Sequence, residues 1–85
     1  MLNQLKGLKT GLKEVNIRII KDSLQDIQDQ LLNYKYDNKE VDEVKEYQIY
    51  KIYKLMQHTD IFNLSFIELE NYIIKLINII EFIEL

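Results

Sequence analysis

The C-terminal stretch from Leu64 to Leu85 carries the strongest hydrophobic pattern of the chain. Its apolar residues recur at alternating steps of three and four, which places them on one side of an α-helix. These positions are Phe66, Leu69, Ile73, Leu76, Ile80 and Ile83. Other apolar residues widen this side on both flanks, namely Ile67, Ile74 and Ile77 on one and Tyr72 and Ile79 on the other. So broad an apolar arc predicts a helix, about residues 65–84, at the centre of a core, a subunit interface or both.

The N-terminal part of the chain has the same helical spacing in two runs, with a slip of one residue where they meet. The runs are Leu5, Leu8, Leu12, Val15 and Ile19, then Ile20, Leu24, Ile27, Leu31 and Tyr34. We interpret them as one long helix over residues 3–35. Gly7 and Gly11 each cost up to about 1 kcal/mol inside a helix. Either its first turns fray, therefore, or its packed part begins near Thr10.

A middle helix is predicted over residues 38–58. Asp37 and Glu40 have the spacing of a capping box, and Tyr36 and Val41 that of a hydrophobic staple. The buried face of this helix is predicted to collect Val41, Val44, Ile49, Ile52, Leu55 and Met56. A second capping box, Ser65 with Glu68, opens the C-terminal helix.

Composition supports an all-α fold in a single domain, residues 1–85. The chain has no proline and only two glycines, whereas an all-β domain needs many turn residues. It has no cysteine, hence no disulfide and no thiolate metal site. The predicted architecture is a three-helix, up-down-up bundle whose first helix is the longest.

The apolar arc of the C-terminal helix is broader than two neighbouring helices of one chain can cover. We therefore expect a homodimer in which the C-terminal helices of two copies pack against each other as in a coiled coil. The candidate self-association residues are Ile67, Tyr72, Ile74 and Ile79. The competing account is a monomer in which the first helix bends at Ile19 and Ile20 and wraps both sides.

Charge is distributed unevenly along the chain, whose net charge is −3. Residues 1–21 hold five basic side chains against one acidic one, and residues 55–85 hold one basic side chain against five acidic ones. Such polarity can orient one chain against another. The basic residues form a candidate face, Lys6, Lys9, Lys13, Arg18 and Lys21. That face could contact nucleic-acid phosphates, anionic lipid or an acidic protein surface, although the chain is acidic overall and has no helix-turn-helix pattern.

Nothing in the sequence has the pattern of a catalytic, cofactor or metal site. His58 is the only histidine and lies at the end of the predicted middle helix, where it favours the last carbonyls. The acidic residues have spacings typical of solvated helix surfaces, and the two serines have no partner set for a triad. We expect no enzyme and no cofactor. Without a secretion signal or an uninterrupted apolar span, a cytoplasmic location is expected.

Three tyrosines of the middle helix, Tyr47, Tyr50 and Tyr53, recur every three residues and are the candidate partner-binding residues. Tyr47 and Tyr50 point away from the predicted buried face, and Tyr53 lies at its border. Exposed aromatic residues are enriched at protein interfaces. The sequence therefore favours a non-enzymatic protein-interaction module, a regulator or inhibitor of another protein.

The richness in Ile, Lys, Asn and Tyr is typical of AT-rich genomes, such as those of low-GC bacteria, their phages and their plasmids. A phage, plasmid or defence-type accessory protein fits this composition. Two alternatives remain open, both on the basic face. One is an immunity-type protein that acts at a membrane surface, and the other is a nucleic-acid-binding regulator.

Overall fold

The computed structural model describes residues 2–12, 16–33 and 43–84. Over these ranges the chain forms four α-helices, namely α1 (Leu2–Gly11), α2 (Ile17–Leu32), α3 (Glu43–Gln57) and α4 (Phe66–Glu84). A short 3-10 helix, Ile61–Asn63, lies between α3 and α4. No strand occurs in the described ranges, so the all-α class is confirmed. The predicted number of three helices is wrong.

The predicted continuous helix over residues 3–35 is two helices that lie side by side. Gly7 and Leu8 of α1 line the same cleft as Ser23 and Ile27 of α2. In one straight helix, Leu8 and Ile27 would be almost 30 Å apart, at about 1.5 Å per residue. The α1 helix has therefore folded back onto α2, and Leu5 becomes fully buried in the shared core.

Local chemistry explains where the two helices separate. The first helix ends at Gly11, a residue with low helix propensity. The second begins after Asn16, whose side-chain oxygen accepts a hydrogen bond of 2.8 Å from the Arg18 N–H, as an N-cap residue does. The one-residue slip in the hydrophobic pattern also lies near the start of α2. Ile20, which begins the second run, is buried, whereas Ile19, which the first run placed on the buried side, is 55% exposed.

The α4 helix is the centre of the core, as its pattern predicts. It packs most extensively against α1 and α3. Five of the six positions of its predicted apolar side are buried, namely Leu69, Ile73, Leu76, Ile80 and Ile83. Phe66, in the first turn, is partly exposed instead. Lys6, in the middle of α1, pairs with Glu81 near the end of α4 at 3.5 Å.

Two predictions about the ends of α3 and α4 have different outcomes. The Ser65–Glu68 capping box is confirmed, because the Ser65 N–H donates to the Glu68 carboxylate at 3.1 Å and the Glu68 N–H donates to Ser65 Oγ at 3.3 Å. These bonds hold the pKa of Glu68 below its usual value. The Asp37–Glu40 box, the Tyr36–Val41 staple and residues 38–42 of the predicted middle helix lie outside the described residues.

The α3 helix directs Ile49 and Ile52 into the core, and Leu55 and Met56 pack against it from partly buried positions. Val44 was expected on this face and is exposed. It belongs to the first turn of the described helix.

The α2 helix is tied to α4 through a buried polar pair. The Gln28 side-chain amide donates a hydrogen bond to the Tyr72 hydroxyl. Burial raises the pKa of Tyr72 from its ordinary value of 10.0 to about 12, and the Gln28 hydrogen bond opposes this increase. Tyr72 therefore faces the interior of its own chain, a correction to its candidacy for self-association.

We expect this buried tyrosine to make the fold sensitive to alkaline pH. Its folded pKa exceeds the unfolded one, so its stabilisation is complete below pH 10 and is lost as pH rises through about 12. The free energy of unfolding should fall over this window by about 1–2 kcal/mol more in the wild type than in Tyr72→Phe. Urea titrations at pH 9 and pH 11.5 measure the difference. Tyr50→Phe, at an exposed position, should retain the wild-type pH dependence, and equal slopes for all three proteins would contradict the prediction.

Candidate interaction surfaces

The outer side of α3 carries two exposed aromatic residues, Tyr47 and Tyr50, which are 57% and 53% exposed. Helical periodicity explains this placement, since Ile49 and Ile52 occupy the opposite side and are buried. Neither tyrosine belongs to the core cluster. The exposure predicted for these two side chains is therefore confirmed.

A lysine lies over each of these rings. The Lys51 ammonium is 4.8 Å from the centroid of the Tyr47 ring, and the Lys54 ammonium is 5.5 Å from that of the Tyr50 ring. Both pairs have the i, i+4 spacing at which helix side chains meet. Such cation–π contacts are worth about 0.5–1 kcal/mol at exposed sites, enough to favour one orientation of each ring. We call Tyr47, Tyr50, Lys51 and Lys54 the tyrosine face.

Tyr53 has a different role from the other two tyrosines. It is partly buried against the core, and its hydroxyl donates a hydrogen bond of 3.0 Å to the Leu32 carbonyl. Because Leu32 is the last residue of α2, this bond satisfies a carbonyl that has no partner within the helix. Tyr53 thus joins α2 to α3, and it lies beside the tyrosine face without forming part of it.

A groove with charged rims runs between α1 and α4. Its volume is about 640 Å³, and we call it the α1–α4 groove. It is lined by Lys6, Lys9, Thr10, Glu70, Ile74, Ile77, Asn78 and Glu81. The lysines belong to α1 and the glutamates to α4, so its two walls have opposite charge.

An exposed isoleucine extends the apolar part of this groove. Ile67 lies seven residues before Ile74, so the two occupy nearly the same side of α4. Ile67 is 71% exposed, and Ile74 is partly buried. On the other flank of α4, Tyr72 is buried and Ile79 packs against the core. Of the four candidate self-association residues, Ile67 and Ile74 are the two on the flank that the chain leaves open.

The structure removes Lys21 from the candidate basic face. Lys21 is buried, and its ammonium donates to the carbonyls of Phe62 and Leu64 at 3.0 and 2.8 Å. Arg18 is exposed, pairs with Asp22 at 3.6 Å and lies over the Phe62 ring. Lys6 and Lys9 belong to another helix, and Lys13 lies outside the described residues. The exposed basic residues in the described part of the chain are therefore Lys6, Lys9 and Arg18 of the candidate set.

Three features remain, namely the histidine, the possible metal ligands and the possible membrane-spanning helices of the described part of the chain. His58 is exposed. No group of three or more His, Cys, Asp or Glu side chains there is arranged so that it could hold a metal ion. Of the described helices, none combines the length and the apolar character that crossing a membrane requires.

Comparisons with protein-family models, with curated proteins and with solved structures gave no significant match to this chain. A functional hypothesis must therefore be based on the chain's own surfaces.

The α1–α4 groove was not among the sites predicted from the sequence. Glu70 and Glu81 have the ordinary spacing of helix-surface carboxylates, and nothing local distinguishes them. The signal that could have identified the groove is the uneven charge, basic in residues 1–21 and acidic in residues 55–85. Opposite charges on two helices favour their packing side by side.

Proposed function

We propose that this chain is a non-enzymatic helical module that binds another protein through the tyrosine face and so regulates or inhibits that protein. The observation that carries the proposal is the exposure of Tyr47 and Tyr50 on one side of α3, where neither ring serves the core. Tyrosine is enriched among the residues that dominate interface energetics, because it buries a large ring and retains a hydroxyl for hydrogen bonding.

The charges around the two rings indicate the chemistry of the partner. Within the described parts of the chain, Lys51 and Lys54 take part in no ion pair. Both ammonium groups can therefore donate hydrogen bonds to a carboxylate of another molecule. The partner is expected to present an apolar pocket for a tyrosine ring with Asp or Glu side chains at its rim.

We also propose that the protein forms a homodimer through α4. The support is apolar surface that the four described helices leave uncovered, above all Ile67. Burial of large apolar side chains is the main driving force of such association. The tyrosine face lies on a different helix, so both kinds of contact can form at once.

A paired substitution tests the tyrosine face. Capture from host lysate with the immobilised wild-type protein, followed by mass spectrometry, identifies the partner. We expect Tyr47→Ser with Tyr50→Ser to weaken binding to that purified partner by at least about thirtyfold, since tyrosine is enriched among the residues whose loss costs more than about 1 kcal/mol and two such losses add to about 2 kcal/mol. Isothermal titration calorimetry measures this loss. The melting temperature should change by only a few degrees, because both side chains are exposed.

The matched control is Leu32→Ser, which alters an equally exposed apolar residue on α2 and should leave binding unchanged. Wild-type affinity in the double tyrosine variant would contradict the proposed face. A large fall in its melting temperature would instead assign these tyrosines a role in the fold.

A further inference from the structure

The outward side of α4 carries a second repeat, separate from the one that faces the core. The core-facing positions recur at alternating steps of three and four and are buried, for example Leu69, Ile73, Leu76 and Ile80. Across the helix from them, another set recurs at steps of four, three and four, and none of its members is buried. We call this set the outer seam: Ile67, Asn71, Ile74 and Asn78.

The outer seam leaves apolar side chains in contact with water along the length of α4. Ile67 is 71% exposed, and Ile74 is only partly buried. Phe82, four residues beyond the last seam position, is 61% exposed on the same side of the helix. The uncovered apolar surface therefore follows a line parallel to the helix axis, as a contact with another helix requires.

The seam alternates isoleucine with asparagine in the spacing of a coiled coil. The order of its steps assigns Ile67 and Ile74 to d positions and Asn71 and Asn78 to a positions of the heptad. An asparagine amide both donates and accepts hydrogen bonds, so one asparagine can pair with another. A two-fold axis parallel to α4 places each seam residue opposite the same residue of a second copy. Isoleucine then meets isoleucine, and asparagine meets asparagine.

The charges beside the seam also complement a second copy. Glu70 and Lys75 lie on its two flanks, at the g and e positions where coiled coils form ion pairs between helices. Within the described ranges neither takes part in an ion pair. In a parallel dimer, Glu70 of each copy is offset from Lys75 of the other by about 7.5 Å along the axis, which these two long side chains bridge. The contact occurs twice, because the two-fold axis exchanges the copies.

The seam ends where the chain uses its own charges. Glu81 occupies the next d position, and its carboxylate already pairs with Lys6 at 3.5 Å. A second copy therefore meets a neutralised carboxylate at that end of the seam and apolar or amide side chains along the rest.

We infer that the homodimer is a parallel pair of α4 helices that meet along the outer seam. Asn71 and Asn78 pair across the two-fold axis, and Glu70 of each copy lies beside Lys75 of the other. This inference rests on the proposed homodimer and names its surface and the orientation of its copies. An antiparallel pair would place a positions against d positions, so each asparagine would face an isoleucine and its buried amide would lack a partner.

Charge reversal tests the flanks of the seam, with mass measured by light scattering after size exclusion at tens of micromolar protein. We expect a dimer for the wild type. Glu70→Lys and Lys75→Glu, made separately, place like charges together at both contacts and should each raise the dimer dissociation constant by at least about tenfold. An equimolar mixture of the two variants should restore the dimer mass, because every contact in the mixed dimer again joins opposite charges. A weakened dimer that does not recover on mixing would contradict the Glu70–Lys75 contact.

A cysteine cross-link tests the orientation of the two copies. The chain has no cysteine, so one introduced thiol can pair only with its counterpart in a second copy. Asn71→Cys should form a disulfide-linked dimer under mild oxidation, since the parallel arrangement brings the two Cα atoms to the roughly 4.4–6.8 Å that a disulfide needs. Gln57→Cys, at the exposed last residue of α3, is the matched control and should run as a monomer on a non-reducing gel.

Three outcomes separate this inference from the proposed homodimer. Circular dichroism should show wild-type helix content for every variant, so that a change of mass reports association and not unfolding. A wild-type dimer in which Asn71→Cys does not cross-link, or which survives both charge reversals, would overturn the outer seam and leave the homodimer intact. A monomeric wild type would overturn both.

Discussion

Replacing Leu5 with alanine is expected to lower the free energy of unfolding by about 2–5 kcal/mol. The Leu5 side chain is 0% exposed and belongs to the shared core, so its truncation leaves a cavity as well as a loss of buried apolar surface. A domain of this size is stable by only about 4–13 kcal/mol, at roughly 0.05–0.15 kcal/mol per residue. Leu5→Ala should therefore remove a large share of the total.

The result distinguishes two arrangements of the N-terminal residues. In a continuous helix over residues 3–35, Leu5 would lie near a free helix end, and its truncation would cost little. The matched control is Leu32→Ala on α2, a leucine that is 53% exposed and whose loss should change stability by no more than about 0.5 kcal/mol. Urea denaturation followed by circular dichroism measures both. Equal, small effects would contradict the packing of α1 onto the core.

The parts of the fold that were predicted correctly depend on local repetition. In α4 the alternation of three and four recurs over almost the whole helix, so Leu69, Ile73 and Leu76 could be assigned to the core without knowledge of their partners. The Ser65–Glu68 capping box depends on residues three apart, and the structure forms it. The exposure of Tyr47 and Tyr50 follows from the same periodicity.

The division of the first helix could not be settled by periodicity, because two helices in sequence can each keep the same alternation whether or not the chain reverses between them. The relevant signals were weaker ones. Gly11 lowers helix propensity, Asn16 is a favourable N-cap residue, and the slip at Ile20 marks a new phase. Together they indicate a new helix start, although each alone is compatible with a bend.

The buried polar contacts could not be predicted because their partners are distant in sequence. Gln28 and Tyr72 are 44 residues apart. Lys21 reaches carbonyls that are 41 and 43 residues away, whereas its immediate neighbours suggest an ordinary basic surface. The α1–α4 groove is similar, since only the packing of α1 against α4 brings its lysines and glutamates together.

The second large effect is expected at Lys21, which fixes the connection between α3 and α4. Its ammonium donates hydrogen bonds to Phe62 O and Leu64 O, the carbonyls on either side of Asn63. Within the described residues no carboxylate pairs with it, so its stabilising contribution comes from these two bonds. We expect Lys21→Met to lower the free energy of unfolding by about 2–3 kcal/mol, since hydrogen bonds from charged donors are worth about 1.5–3 kcal/mol and two that share one donor do not add fully.

Two opposing effects decide the size of this loss. Methionine keeps the apolar stem and removes the cost of holding an ammonium away from water, which can make replacement of a buried charge neutral or even stabilising. That outcome requires both partners to be replaced, however. Here the two carbonyls belong to the backbone and remain in place, and a partly buried acceptor left without its donor costs up to about 1–3 kcal/mol. We therefore expect the loss of the donor to outweigh the relief of desolvation.

Arg18→Met, which breaks an exposed ion pair with Asp22, is the matched control and should cost no more than about 1 kcal/mol. Chemical denaturation of both variants measures the difference, and a Lys21→Met protein as stable as the wild type would show that desolvation prevails.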